Sequence, residues 1–142
     1  MERILWGAFL VSVLFFGAVL IMATGGFDAI GQLDQDRMLR FGDPLYLAFS
    51  VLAMSAFLGH RLAPRWVVAA DPERKKTVGF LLQATMLESI AIFGMVLGLM
   101  YGDAQVGIPF LFMGLVGLFS INPMLKMDRP EPGGAPLNSY FF

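Results

Sequence analysis

The chain has 142 residues, of which 57% are hydrophobic and 15% charged, and its net charge is −1. A soluble domain carries about 25% charged residues, so the composition points to lipid as solvent, and the charge offers no basic field for nucleic acid. The lack of cysteine excludes disulfides, iron–sulfur clusters, thiolate catalysis and cysteine zinc sites, and a single histidine, His60, is too few for bis-histidine haem ligation; no cofactor and no metal site are expected.

A bilayer core about 30 Å thick takes roughly 20 apolar residues as helix. The first such run is Ile4 to Ala23, without a charge. A charged start and an apolar run also describe a secretory signal, but this run is long for a signal core, so a retained first helix is expected. The loop "TGGFDAIGQLDQDRMLRFGDP" follows. Its apolar residues between Phe27 and Phe41 recur loosely at helical spacing, which suits a short interfacial helix or an irregular loop.

The second run is Leu45 to Leu62, uncharged until His60 and Arg61. His60 is expected to cap its cytoplasmic end among the headgroups. The third run is Val78 to Tyr101, uncharged except for Glu88. A few residues, "GDAQVG", turn it into the fourth, from about Ile108 to Leu125, and Asp103 in that turn is expected to be solvated. Pro109 suits the first turn of a helix, and Pro123 kinks or ends it. The remaining "MDRPEPGGAPLNSYFF" is rich in Pro and Gly and should not fold alone. Its aromatic end, Tyr140 to Phe142, suits either docking on a partner or lying at the membrane interface.

The expected fold is therefore all-α and integral to the membrane. Residues 1–125 form a four-helix transmembrane domain, with helices at about 4–23, 45–62, 78–101 and 108–125, and 126–142 form a flexible cytoplasmic tail. Lys and Arg set the orientation. Arg3, then Arg61, Arg65, Arg74, Lys75 and Lys76, then Lys126 and Arg129 fall on one side, and Arg37 and Arg40 on the other. Both termini are thus expected in the cytoplasm, in a membrane of the bacterial inner type. Arg74, Lys75 and Lys76 set topology and meet anionic lipid or a partner protein.

Glu88 lies some ten residues into the third run, at a depth of roughly 15 Å. An ionised carboxylate there costs at least about 2.5 kcal/mol. It must be protonated, find a cation or hydrogen-bond donor, or face water. At 100° per residue, Ala84 and Ala91 share its side of the helix, and Gly94, Gly98 and Gly102 continue a small-residue stripe. Such stripes let helices approach closely, within the chain or between copies. Ser12, Ser50 and Ser55 are candidate hydroxyl partners for Glu88. Gln83 and Ser89 point to other faces.

The segment "ADPERKKTVGFLLQATMLESIAIFGMVLGLM", Ala70 to Met100, resembles the second half of the c subunits of rotary ATP synthases. In that family a loop of type A-R-Q/N-P-E leads into a helix reading roughly E-S/A-I/L-A/G-I-F/Y-G-L-V. Here Ala69, Pro72 and Glu73 match the loop, Ala70 replaces its arginine, and Glu88 to Val96 match the helix. The resemblance implies reversible proton or cation binding at Glu88. The second run, "YLAFSVLAMSAFLGH", lacks the family's glycine ladder, so the resemblance does not extend to a ring.

Two functions follow as expectations. One is a non-enzymatic membrane protein whose Glu88 binds a proton or cation, as a homo-oligomer or a module of a larger membrane complex. The other is a structural accessory subunit in which Glu88 serves helix packing. A small multidrug-type exporter is a lesser alternative, since those carry their glutamate in the first helix. A membrane enzyme is disfavoured because nothing near Glu88 supplies a base or nucleophile.

Overall fold

Aspartates set the starts of four helices. The computed structural model describes residues 2–26, 28, 31, 34–68 and 71–123. Among these are six helices: α1 Glu2–Ala23, α2 Gln35–Met38, α3 Pro44–Gly59, α4 Ala63–Trp66, α5 Pro72–Tyr101 and α6 Ala104–Ser120. No strand occurs among the described residues. Asp34, Asp43, Asp71 and Asp103 stand immediately before α2, α3, α5 and α6 in extended conformation. Each side chain accepts the N–H of the residue two positions on, at 2.9 to 3.1 Å. That satisfies one of the donors that a helix start leaves orphaned. Asp43 and Asp71 are each followed by a proline, whose missing N–H costs nothing at the first helical position.

These caps move the boundaries away from the apolar runs. The third expected helix begins at Pro72 rather than 78, so its charged first turns are helical. The fourth begins at Ala104 rather than 108, because Asp103 caps it there. Pro109 consequently lies inside α6 and not in its first turn; it leaves the Gln105 carbonyl without its helical donor. Helix α6 stops at Ser120, three residues ahead of Pro123 and short of 125. The second expected helix ends at Gly59, and a turn leads into the short α4. Between α1 and α3 the described residues include one turn of helix, α2. The tail, 126–142, including its aromatic end, lies outside the described residues, as do Ala69 and Ala70 of the loop before α5.

Helix α5 is the centre of the arrangement and contacts α1, α3, α4 and α6. Its 30 residues span about 45 Å. Ser12 meets Glu88, and Leu20 meets Gly98, so α1 runs parallel to α5. Helix α6 returns antiparallel: Gly94 faces Gly107, Ala91 faces Gly114 and Leu87 faces Gly117. Helix α3 is antiparallel as well, with Phe49 edge-on to Phe93 at 5.5 Å and Gly59 against Met86. The Trp6 indole N–H donates to the Leu118 carbonyl at 2.9 Å, tying the start of α1 to the last turn of α6.

Large apolar side chains cover the outside. Ile4 and Met22 are each 80% exposed, and Val51, Leu58, Met100 and Phe112 all exceed 60%. Helices α1 and α5 are long and apolar enough to cross a membrane.

Candidate functional site

Glu88 sits near the middle of α5, and Ser12 sits near the middle of α1. The Ser12 hydroxyl donates to Oε1 of Glu88 in a short hydrogen bond. The parallel packing of α1 on α5 that sets Leu20 against Gly98 also produces this pairing, one helix turn after another along both. The other hydroxyls near that depth are engaged on their own helices. Ser50 donates to the Tyr46 carbonyl, Ser55 to Val51, Thr85 to Leu81 and Ser89 to Thr85, all at 2.8 to 2.9 Å. A serine bonded four residues back is not free to orient toward a neighbouring helix. Among the described residues, Ser12 is therefore the one side chain that hydrogen-bonds Glu88, and no cation lies within ion-pairing distance of it. Glu88 itself is half-buried.

The small-residue stripe beside Glu88 is occupied by the chain's own helices. Ala84, Ala91, Gly94 and Gly98 are buried. A Cβ on Gly94 would lie 2.7 Å from the Gly107 carbonyl oxygen, and one on Gly98 would lie 2.5 Å from Leu20. Gly102 does not belong to this contact. It is exposed, has nothing within 4 Å of a Cβ, and takes φ +61° as the left-handed cap of α5. Glycine suits that conformation because it has no Cβ to clash. The matching surface on α6, formed by Gly107, Gly114 and Gly117, went unread in the sequence although its spacing was visible there.

At the end of the bundle where α5 turns into α6, a second polar group forms. Asp103 is 9% exposed, not solvated. Its Oδ1 caps α6, while Oδ2 lies 3.3 Å from Nε of Arg37 and 3.9 Å from Nη2 of Arg40. No N–H is directed at this buried oxygen, so charge rather than a hydrogen bond holds the pair. The Arg40 guanidinium lies 4.8 Å over the Tyr101 ring, and the Tyr101 hydroxyl donates to Oδ2 of Asp43 in a short hydrogen bond. That bond, first of all, holds the Asp43 carboxyl below its ordinary range. The Gln105 side chain accepts the Asp34 N–H at 2.8 Å, and the Tyr46 hydroxyl donates to the Met38 carbonyl at 2.9 Å. The segment around α2 is thus fastened to the α5–α6 turn by residues far apart in the chain.

At the opposite end His60 caps α3, as expected, its backbone N–H donating to the Ala56 carbonyl at 2.9 Å, and it is buried at 2% exposure. Its Nδ1 faces the Phe57 carbonyl in a short contact, which requires the proton on that nitrogen. Arg74, Lys75 and Lys76 are exposed on the first turns of α5. Gln83 lies in a cleft at this end and does not approach Glu88 as a bonding partner. No cluster of three metal-ligating side chains occurs among the described residues.

No protein-family model, curated protein or solved structure matches the chain. The chemistry must be read from the site itself. One carboxyl and one hydroxyl can hold a proton and hand it on; they are too few oxygens for a hard metal cation, which takes six or more.

Proposed function

We propose that the chain is a non-enzymatic four-span membrane protein whose Glu88 takes up and releases a proton. The observation that carries this reading is a half-buried carboxyl at the midpoint of the longest helix, with a single hydroxyl partner and no cation beside it among the described residues. A carboxyl in apolar surroundings is tolerated when neutral and costly when charged, so a change of environment moves its proton. The outward display of large apolar side chains on α1, α3 and α6 supports a bilayer around the whole bundle. Helix α6, at 17 residues, is at the lower limit of the roughly 17–25 that span a bilayer, and α3, at 16, is just under it. The cation distribution supports cytoplasmic termini, in a membrane of the bacterial inner type. The c-subunit-like pattern around Glu88 agrees with proton binding.

A structural reading is favoured by a different observation. The Ala/Gly stripe and the Ser12 bond are both satisfied inside one chain, as expected of an accessory subunit in which Glu88 fixes helix register. Assembly into an oligomer or larger complex would then use other faces.

A hydrophobic carbodiimide separates the two, because it modifies protonated carboxyls in lipid. Labelling of Glu88 in membranes that weakens as pH rises is the expected result. Absence of labelling, together with wild-type behaviour of Glu88→Gln, would leave the structural reading in place.

A further inference from the structure

A cleft of about 350 Å³ opens at the end of the bundle that carries the start of α1, the start of α5 and the end of α6. Its charged lining is Glu2, Lys75 and Lys76, and Gln83 adds an amide. Among the described residues, none of the three charges is paired with another side chain. The rest of the wall is apolar and includes Phe80 and Ile121. Pro64 closes one side tightly against α5, with its Cβ 3.3 Å from where a Gly79 side chain would begin.

Two features of this cleft limit what fits it. From Pro72 at the mouth to Gln83, the lining extends eleven residues along α5, or about 16 Å. On the bilayer reading it begins at headgroup level and ends just beneath it, with the lysines toward one end and Phe80, Gln83 and Ile121 toward the other. Its size is at the lower end of small-molecule sites, which run from about 300 Å³, and suits one headgroup rather than a peptide. The charge pattern is two ammonium groups and one carboxylate. A phosphodiester alone would face the lysines and leave Glu2 without a partner of opposite sign; a phosphate joined to a primary amine, its two free oxygens shared by the lysines, gives all three a partner of opposite sign.

We propose that this cleft binds the headgroup of an amine-bearing zwitterionic phospholipid, with phosphate on Lys75 and Lys76, the lipid ammonium on Glu2, and the glycerol region beside Gln83. The site is separate from Glu88 and rests only on the bilayer reading of the bundle.

The test is native mass spectrometry of the full chain in mild detergent, with phosphatidylethanolamine, phosphatidylcholine and phosphatidylglycerol offered at equal mole fraction. One phosphatidylethanolamine is expected to be retained over the other two by about tenfold, the scale of one charge-assisted hydrogen bond. The double substitution Lys75→Ala/Lys76→Ala is expected to abolish retention. Glu2→Gln is expected to remove the preference over phosphatidylglycerol while keeping phospholipid binding. All three positions lie at helix starts, so size-exclusion profiles should not change. Equal retention of the three lipids, or retention indifferent to these substitutions, would overturn the proposal. So would a preference for phosphatidylglycerol, or displacement of the lipid by millimolar inorganic phosphate, which would assign the lysines to a soluble anion. Release of the chain from membranes by alkaline carbonate would overturn the bilayer reading and the lipid site together; retention in the membrane with equal lipid binding would overturn the site alone.

Discussion

Gly94 on α5 and Gly107 on α6 stand back to back, each occupying the space that the other's side chain would need. A Cβ on Gly94 would lie 2.7 Å from the Gly107 carbonyl oxygen, and a Cβ on Gly107 would overlap the Gly94 carbonyl. The obstacle in both directions is backbone, which cannot swing away as a side chain can. Gly94→Ala is therefore expected to lower stability by about 1–3 kcal/mol through overpacking, seen as a lower melting temperature of the detergent-purified chain. Gly7→Ala in α1 is the control. Nothing lies within 4 Å of its added methyl, and removing a helix-interior glycine there should raise stability by about 0.4–1 kcal/mol. Equal melting of the two variants would mean that α5 and α6 are not packed through these glycines.

The bond from Ser12 to Glu88 predicts a specific coupling. Ser12→Ala leaves the carboxyl without its hydrogen-bond partner and is expected to destabilise by roughly 0.5–2 kcal/mol, the range measured for polar contacts between membrane helices. In a Glu88→Met background, which offers no acceptor, the same Ser12→Ala change should be close to neutral. A double-mutant cycle on thermal or denaturant unfolding gives the difference directly. Additive effects would show that the two side chains do not interact.

Much of this arrangement was legible in the sequence, and what was not has physical reasons. Apolar run length located the four long helices, because each shows apolar side chains on its exposed face as well as its packed one. The run starts misplaced the helix starts, since hydropathy does not register a cap. Asp71-Pro72 ahead of α5 carried the correct signal in its local chemistry, and so did Asp103 ahead of α6. Ser12 was one of three hydroxyl candidates for Glu88; choosing it required knowing that α1 runs parallel to α5. The burial of Asp103 had no local sign. Its partners, Arg37 and Arg40, lie more than sixty residues earlier, and only the return of the α2 segment onto the α5–α6 turn brings them near. Gly102 was misread because a stripe of glycines four apart continues smoothly into a cap.

The bond from Tyr101 to Asp43 makes a prediction about acid. The Asp43 carboxyl is held below its ordinary value by the Tyr101 hydroxyl, with the Leu45 and Tyr46 backbone and Arg40 assisting. The unfolded value is about 3.9, so the stabilisation is fully present above that pH and is lost as pH falls through the lower folded value. Tyr101→Phe removes the main cause while keeping the ring under Arg40. Its melting temperature is expected to fall less steeply than that of the wild type below about pH 4, with the two curves parallel from pH 5 to 7. An identical acid slope in both proteins would show that Asp43 does not depend on Tyr101.

Asp103 combines two roles that different substitutions separate. Asp103→Asn keeps an oxygen to accept the Gln105 N–H, so α6 stays capped, but it removes the charge facing Arg37 and Arg40. Asp103→Ala removes both and should cost a further 0.5–2 kcal/mol or so, the typical worth of an N-cap. The Arg37 side chain is 56% exposed, so the charge alone is worth about 1 kcal/mol at most. That loss should appear locally, as trypsin cleavage after Arg37 or Arg40 up to about fivefold faster in Asp103→Asn than in the wild type. Raising the salt concentration should narrow the gap by weakening the wild-type pair, whereas the cap-dependent difference between Asp103→Asn and Asp103→Ala in melting temperature should persist. Cleavage unchanged by Asp103→Asn at low salt would mean that the loop is held by the Asp34–Gln105 and Tyr46–Met38 hydrogen bonds without help from the buried charge.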